Sequence, residues 1–372
     1  MDGTEGLARR HLPLAIAALR HLACTLAKLY GPLALGDELA GSSVGAGRYR
    51  ARMDAMGIPT TPARTAVPAS TMSFRVSPSG PFDLLHQNSY FGGWPTLRAD
   101  PKTVVMTFPV DGAWTCSAAV TMRQEPTGDV IGEVFGVQDV LPADLARRQA
   151  LAALSLDVDG SGWPGVGERD PLIGRLQREH KYLRPILFHS AYEAAASFLL
   201  GHRLRISQAR ELRHGLAVRY GRPIEVGGEV FHAFPEPAVL AGLVGFPGVG
   251  VEKIARLRAL ADAVGSGRLD RAVLRGLPVS EAIAEVRTLP GVGPFFAQGI
   301  AIRGAGWADE VADDDITRHA VGRAYGLDGP AGRDDVLRIA ETWRPLRMWA
   351  VVMLHVDARG RGDLPRRTFS GR

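Results

Sequence analysis

The chain has 372 residues, of which 46% are hydrophobic and 22% are charged, and its formal net charge is +5. This length and composition predict two compact globular domains, or one large domain with appendages, and exclude a disordered or fibrous chain. No apolar run reaches the length of a membrane span, because the best candidate, residues 13–24, contains Arg20 and His21.

The two cysteines, Cys24 and Cys116, are too few for a four-cysteine zinc site or an iron–sulfur cluster. Together with an acidic start that lacks the pattern of a secretory signal, they favour a reducing cytoplasm. Of the 44 basic residues only four are lysines. The positive excess is compatible with a nucleic-acid partner, and equally with the arginine bias of a GC-rich genome.

The first half of the chain divides into an appendage and a sheet-forming domain. Residues 1–70 are predicted to be an appendage in which a helix over about 7–30 precedes small residues, glycine and proline. Residues 71–165 alternate short β-branched or apolar runs with turn signals, which predicts an α+β domain with an antiparallel sheet. Its predicted strands are TMSFRV, KTVVMTFPV, WTCSAAVTM and DVIGEVFGV. Helices are predicted between the first two runs and over 141–156, and DVDGSGWPGVGERDP is interpreted as a loop.

The second half carries apolar residues at three- and four-residue spacing, which predicts an all-α domain over residues 172–357. The predicted helices cover 191–200, 207–220, 237–243, 251–264, 279–288, 295–305, 315–324 and 334–356. Residues 358–372 contain five arginines and are predicted to be a flexible basic tail. Such a tail adds salt-sensitive affinity if the rest of the chain binds DNA.

A hydrophobic-Pro-Gly-Val-Gly pattern occurs twice in this helical half, 43 residues apart. In each copy a helix is expected to end, the chain to turn through two glycines (Gly248 and Gly250, then Gly291 and Gly293), and a new helix to begin. Amides at the start of that new helix suit a phosphate oxygen. The pattern is typical of the helix–hairpin–helix element, which binds a nucleic-acid backbone without reading sequence. The alternative is a plain helical hairpin with a glycine C-cap, and the second copy favours DNA contact over it.

Three consecutive aspartates, Asp313, Asp314 and Asp315, stand at the start of the helix predicted over 315–324. One of the first two is expected to cap that helix, because a carboxylate accepts hydrogen bonds from the amides of the first turn. A cap needs only one aspartate. A second carboxylate beside a DNA-binding hairpin is therefore available for catalysis.

The combination of LPGVG, a helix and an aspartate about twenty residues on resembles the signature of the helix–hairpin–helix DNA glycosylases; here Gly293 and Asp314 are 21 residues apart. Four further stretches are similar to the DNA-3-methyladenine glycosylase II branch: LRPILFHSAYEAAASFLLG, LAVRYG, FHAFPEPAVLAGL and ETWRPLRMWAVVMLH. The resemblance covers residues 172–357, half of the chain, and the predicted sheet occupies the position of that branch's β-rich N-terminal domain.

The resemblance implies a function and a set of site residues. The implied activity is hydrolysis of the N-glycosidic bond of an alkylated, 3-methyladenine-like base flipped out of duplex DNA, in base excision repair. Asp314 is the implied catalytic carboxylate. The other implied site residues are Phe295, with Tyr192, Trp349 and His355 (and Phe296), for the base pocket; Leu289, Gly291, Val292, Gly293, Gly248 and Gly250 for the DNA backbone; and His202 and Arg203 for the wedge.

The chemistry of the bond agrees with a single carboxylate. Cleavage builds positive charge on the sugar, which a fixed carboxylate stabilises while it orients or deprotonates the attacking water. Relatives that also cut the backbone use a lysine at the position of Phe295. Because no lysine follows Lys253, a monofunctional glycosylase without lyase activity is expected. No cofactor and no metal cluster are expected, and the resemblance leaves open a structural monovalent ion at the hairpin. The expected partner is damaged double-stranded DNA, bound by a monomer at the nucleoid.

Several alternatives stay open on the sequence alone. A rival pair of chemical residues is Lys253 and Asp270, near the first hairpin. Arg203 stands where the family has an apolar wedge, and His355 stands where an aromatic is expected. These departures keep two other readings open: a DNA-binding module without catalysis, and a glycosylase for another damaged base.

Overall fold

The computed structural model describes residues 70–90 and 94–363. The helix predicted over 7–30, Cys24 and residues 364–372 of the predicted tail lie outside the described residues. Within the described part, no helix is both long enough and apolar enough to cross a membrane.

A four-stranded sheet forms the N-terminal layer. Its strands are β1 (Met72–Val76), β2 (Val104–Pro109), β3 (Ser117–Gln124) and β4 (Val130–Phe135). All neighbours pair antiparallel, in the spatial order β1-β4-β3-β2. The strands coincide with the four predicted runs, so the predicted antiparallel sheet is confirmed.

The remainder is mostly helical, as predicted. The helices are α1 (Leu84–Tyr90), α2 (Val140–Ala153), α3 (Trp163–Arg169), α4 (Pro171–Glu179), α5 (Ala191–Gly201), α6 (Ile206–Tyr220), α7 (Pro237–Ala241), α8 (Val251–Gly265), α9 (Arg271–Arg275), α10 (Val279–Arg287), α11 (Pro294–Ile300), α12 (Asp315–Ala324), α13 (Arg333–Ala340) and α14 (Arg347–Gly360). A π-helical turn, Ala301–Gly306, continues α11, and a short 3-10 turn, Glu341–Trp343, follows α13.

Two helical predictions were wrong, and proline explains both. Helix α3 lies inside the segment interpreted as a loop; Pro164 stands in its first turn, where the missing amide hydrogen costs nothing. The helix predicted over 334–356 is instead two helices. Pro345 interrupts it, because proline lacks a donor and disfavours helical geometry at the residue before it.

The helical half also contains a β-hairpin, which the all-α prediction missed. Strands β5 (Pro223–Val226) and β6 (Glu229–His232) are joined by Gly227 and Gly228, both with positive φ. Ile224 and Val226 pack against the outer face of the main sheet. The sheet is therefore covered on both sides, which accounts for the almost continuous burial of β2 and β3.

Two large cores meet in the middle of the molecule. The first joins the inner face of the sheet to α2, α4, α12 and α14, and so includes residues of both predicted domains. The second lies within the bundle of α5, α8, α10 and α11, which carries both glycine hairpins. The junction of the two cores positions the site described next.

Candidate active site

The two glycine hairpins adopt the same backbone conformation. Gly248 and Gly291 have φ values of 80° and 83°, a region that glycine occupies without steric penalty. In each hairpin the amide two residues before the new helix closes a tight turn: Val249 donates to the carbonyl of Phe246 at 3.0 Å, and Val292 to that of Leu289 at 3.1 Å. The second glycine of each copy, Gly250 or Gly293, stands at the N-cap of the following helix.

The apolar residues of the hairpins anchor them in the core. Leu289 and Val292 are buried, as is Phe246 in the first copy, whereas Gly291 and Gly293 are exposed. Leu289 and Val292 can thus meet DNA only through their backbone atoms. Helix α8 joins the two copies, because it begins at the first hairpin and the side chain of Arg256 lies directly against Gly291.

Asp314 both caps α12 and lines a cleft. Its Oδ1 accepts from the amides of Ile316 at 2.9 Å and Thr317 at 2.8 Å, and its Oδ2 accepts from the Thr317 hydroxyl at 3.3 Å. Burial raises the pKa of this carboxyl, although the three hydrogen bonds act in the opposite direction. The sequence pattern predicted different aspartates for the cap and for catalysis; in the structure the cap is the carboxylate that faces the cleft.

Asp313 has a separate structural role. It accepts from Nε and Nη2 of Arg318 at 2.9 and 2.7 Å, and its own amide donates to Gln298 at 2.9 Å. The latter bond ties the segment before α12 to α11. Asp315 is exposed in the first turn of α12, so the three aspartates divide between pairing, capping and solvation.

The cleft lies between α5 and α11 on one side and α14 on the other, where the two cores meet. Its volume is about 60 Å³. Aromatic and apolar side chains dominate it, with a few polar groups. The lining residues are Phe188, Phe198, Phe295, Gln298, Gly299, Ile302, Arg303, Glu310, Ala312, Asp314, Met348, Val351, Val352 and His355.

The polar groups of the cleft differ in charge. Burial lowers the pKa of His355 well below its usual value, so this imidazole is neutral at neutral pH. Its Nε2 lies 3.2 Å from the hydroxyl of Thr317, the same hydroxyl that donates to Asp314. Burial also lowers the pKa of Arg303 to about 9, which leaves this guanidinium charged at neutral pH. Arg303 stands on the π-helical turn, a geometry that often occurs at functional sites.

The implied pocket residues are only partly brought together. Phe295 and His355 line the cleft with Asp314. Tyr192 and Trp349 do not: the Tyr192 hydroxyl donates to Pro235 at 2.8 Å inside the helical bundle, and Trp349 packs edge-on against Trp163 with ring centroids 5.6 Å apart. Both are fully buried in the cores.

The implied wedge residues occupy the turn after α5. Arg203 is exposed and has a positive φ of 59°. The ring of His202 meets Phe296 edge-on at 5.9 Å. From α8, the ammonium of Lys253 donates to the carbonyls of Leu200 at 2.7 Å and His202 at 2.8 Å, so this lysine holds the turn.

The rival pair of Lys253 and Asp270 is not assembled as a chemical site. Lys253 is engaged in the turn just described, and Asp270 accepts from the indole of Trp114 at 2.6 Å. Neither lines the cleft. Elsewhere in the described residues, Glu179, His180 and Asp357 lie close enough together to be considered as metal ligands. We propose no metal site there, because the two carboxylates already pair with Arg175 and Arg361.

Sequence reasoning missed several cleft residues. Phe188, just before α5, and Phe198, on α5, lie in a stretch that resembles the family, but only the three-dimensional packing shows that both face the cleft. Glu310 could have been identified from the sequence, since it is an acidic residue four positions before Asp314 in the short connection that leads to α12. Arg303 carried none, because arginine is abundant throughout this chain.

The chain is similar to several known DNA glycosylases. No family model matches it. It is 23% identical over 232 residues to the DNA-3-methyladenine glycosylase of Bacillus subtilis, covering 59% of this chain and 75% of the relative. It is 27% identical over 243 residues to DNA-3-methyladenine glycosylase 2 of Escherichia coli, covering 61% and 82%. In fold it is similar to a 3-methyladenine DNA glycosylase from Archaeoglobus fulgidus, with a TM-score of 0.62, 18% identity, and coverage of 77% of this chain and 98% of the other.

Proposed function

We propose that this chain, which belongs to the helix–hairpin–helix superfamily of DNA glycosylases and is related to its 3-methyladenine glycosylases, is a monofunctional hydrolase of alkylated bases in duplex DNA. The observation that carries the proposal is the position of Asp314. It lines a mostly apolar cleft together with Phe295, which follows the second glycine hairpin by two residues.

The proposed binding mode uses both hairpins and the cleft. The exposed amides around Gly291 and Gly293, and those around Gly248 and Gly250, approach phosphate oxygens of the backbone. The damaged nucleotide leaves the stack and its base enters the cleft, where Phe188, Phe198 and Phe295 offer aromatic faces. The turn with His202 and Arg203 occupies the gap in the duplex.

The proposed reaction breaks the bond between C1′ of the sugar and the base nitrogen. The bonding electron pair leaves with the base, and a base that alkylation has made cationic accepts this pair without prior protonation. Asp314 stabilises the positive charge that develops on the sugar and takes a proton from the attacking water, whose oxygen bonds to C1′. The products are the free base and an abasic site.

The residues at the site support a hydrolytic rather than a lyase reaction. Phe295 stands where a Schiff-base lysine would be needed, and the sequence has no lysine beyond Lys253. Lys253 itself is bound to two carbonyls and does not line the cleft. Borohydride treatment during turnover is therefore expected to trap no covalent complex with DNA.

The test is base release from duplexes that contain 3-methyladenine, hypoxanthine or 8-oxoguanine, by the parent protein and by Asp314→Asn. Loss of release by a factor of about 100 or more in the variant, with DNA affinity kept, supports the proposal. Release of 8-oxoguanine alone would redirect it to oxidised bases. No release from any duplex by the parent protein, with DNA binding intact, would indicate a binding module without catalysis.

A further inference from the structure

A second carboxylate, that of Glu310, lines the cleft together with Asp314. Glu310 lies in the connection between the π-helical turn and α12, and it is half-buried. Burial raises the pKa of its carboxyl. Among residues 70–90 and 94–363, no hydrogen bond or ion pair engages this side chain. It is thus an acidic group of the cleft whose bonding capacity is unused in the folded protein.

Two arginines whose charges act on Glu310, Arg344 and Arg347, are bound by other acids. Nε of Arg347 lies 2.8 Å from Oδ1 of Asp309, and Nη1 of Arg344 lies 2.5 Å from Oδ2 of the same aspartate. Arg344 also pairs with Glu341 at 2.7 Å. Both arginines are therefore paired with Asp309, whereas the next residue, Glu310, faces the cleft.

The charge of the cleft depends on Glu310. His355 is neutral, and the positive charge of Arg303 balances the negative charge of Asp314. When Asp314 and Glu310 are both ionised, the carboxylate of Glu310 therefore gives the cleft a net negative charge. In a cleft whose walls are mostly apolar, this charge acts at a lower effective dielectric constant than in water.

We propose that Glu310 is a specificity-determining residue that selects a positively charged base. The inference rests on the proposed function and names the property of the base that the cleft reads. A purine alkylated at N3 or N7 carries a formal positive charge in DNA, and it keeps exocyclic amino hydrogens that a carboxylate accepts. Aromatic faces attract the same cation, so Glu310 and the phenylalanines act together, while Asp314 remains available to the sugar.

The decisive comparison uses a cationic base and its uncharged isostere, neither of which can be cleaved. One duplex carries 7-methylguanine on a 2′-fluoro sugar, and the other carries 7-deaza-7-methylguanine on the same sugar. The parent protein is expected to bind the first more tightly. Glu310→Gln removes the charge but not the shape, and we expect it to reduce the ratio of the two affinities by about 10-fold. Glu310→Asp keeps the charge and should retain most of the preference.

Glu168→Gln is the matched control, because Glu168 is an exposed glutamate on α3 that lies outside the cleft. An unaltered affinity ratio in Glu310→Gln would overturn the inference. A second readout separates it from the other role open to a cleft carboxylic acid, protonation of the departing base. Should Glu310→Gln slow the release of neutral hypoxanthine more than that of 7-methylguanine, Glu310 is a general acid and the inference is wrong. Absence of base release by the parent would instead contradict the proposed function, whatever the affinity ratio.

Discussion

The hydroxyl of Thr317 donates to Oδ2 of Asp314 at 3.3 Å, while the backbone amide of the same threonine donates to Oδ1 at 2.8 Å. One residue of α12 therefore holds both oxygens of the carboxylate that faces the cleft. On its other side the hydroxyl lies 3.2 Å from Nε2 of His355. A carboxylate fixed in this way needs little rearrangement when positive charge develops nearby, which is the condition for electrostatic stabilisation of a transition state.

Replacement of Thr317 by valine is expected to shift the pH dependence of base release. The hydroxyl stabilises the ionised form of Asp314, so its loss raises the pKa of that carboxyl further above its usual value. Since the proposed reaction uses the ionised form, the acid limb of the single-turnover rate profile should move to higher pH. Thr317→Ser keeps the hydroxyl and should keep the parent profile. A valine variant with reduced rate but an unmoved acid limb would assign Thr317 a packing role only.

The ionisation of Asp314 should also change the stability of the folded protein, and the raised pKa gives the direction of this change. A carboxyl whose pKa is higher in the folded than in the unfolded state lowers the free energy of unfolding when it is ionised. This penalty is present above the raised pKa and disappears as the pH falls through it. Asparagine removes the charge but keeps an oxygen that caps α12. Asp314→Asn is therefore expected to unfold at a higher temperature than the parent at pH 7, with a smaller difference in acid.

Asp314→Ala provides the contrast, because alanine removes the cap as well as the charge. Loss of an N-cap typically costs about 1 kcal/mol, so this variant should unfold at a lower temperature than Asp314→Asn. Thermal unfolding followed by circular dichroism at pH 7 and in acid measures both effects. Equal midpoints for the two variants would mean that the capping bonds to Ile316 and Thr317 contribute nothing to stability.

Much of the fold followed from local sequence signals. The four strands were predicted from alternating runs and turns, and α12 begins and ends where its aspartate cap and apolar spacing indicated. The wrong predictions came from the same reliance on local sequence signals. Gly227 and Gly228 form a good hairpin turn between alternating residues, but this short signal lay among strong helical patterns and the all-α prediction overrode it.

The site was less accessible to sequence reasoning because it lies where two cores meet. Asp314 and Phe295 are tied to a local motif, so a short segment is enough to identify them as candidates. Trp349 and His355 lie on the same helix, six residues apart, yet one packs in the core and the other lines the cleft. Only the packing of α14 against its neighbours decides which of its faces meets the cleft, and a short stretch of sequence does not specify this packing.

Lys253 holds the turn after α5 through two hydrogen bonds. We therefore expect its replacement to impair base flipping rather than cleavage of the glycosidic bond. Lys253→Met keeps the length of the side chain but loses the hydrogen bonds to the carbonyls of Leu200 and His202. The exposed Arg203, with its positive φ, then loses its support. We expect base release from a fully paired duplex to fall by about 10-fold, because each lost bond involves a charged donor.

The same variant should lose less activity on a substrate whose damaged base is already unpaired, such as one in a single-nucleotide bulge, since flipping then demands less of the wedge. Lys102→Met is a suitable control, because Lys102 is exposed on the sheet side of the molecule. An equal loss on both substrates would indicate that Lys253 supports the fold of the bundle and not the insertion of the wedge.

The equal conformations of the two hairpins raise the question of whether both bind the DNA backbone, and alanine substitutions can separate contact from fold. At Gly250 and Gly293 the φ values are −68° and −83°, and an added Cβ would meet nothing within 4 Å. Alanine at either position leaves the fold unstrained. It does place a methyl group where a phosphate would approach the amides, so the affinity for undamaged duplex should fall by about 10-fold.

Gly291→Ala is the counterpart in which fold and contact change together. Its φ of 83° disfavours alanine, and the new Cβ would lie 2.6 Å from Cδ of Arg256. This variant should lose thermal stability as well as affinity, whereas Gly293→Ala should lose affinity alone. If Gly293→Ala weakens binding and Gly250→Ala does not, only the second hairpin contacts the backbone. The first copy would then serve to begin α8, the helix that carries Lys253 to the wedge turn and Arg256 to Gly291, and its likeness to the second would reflect a shared turn geometry.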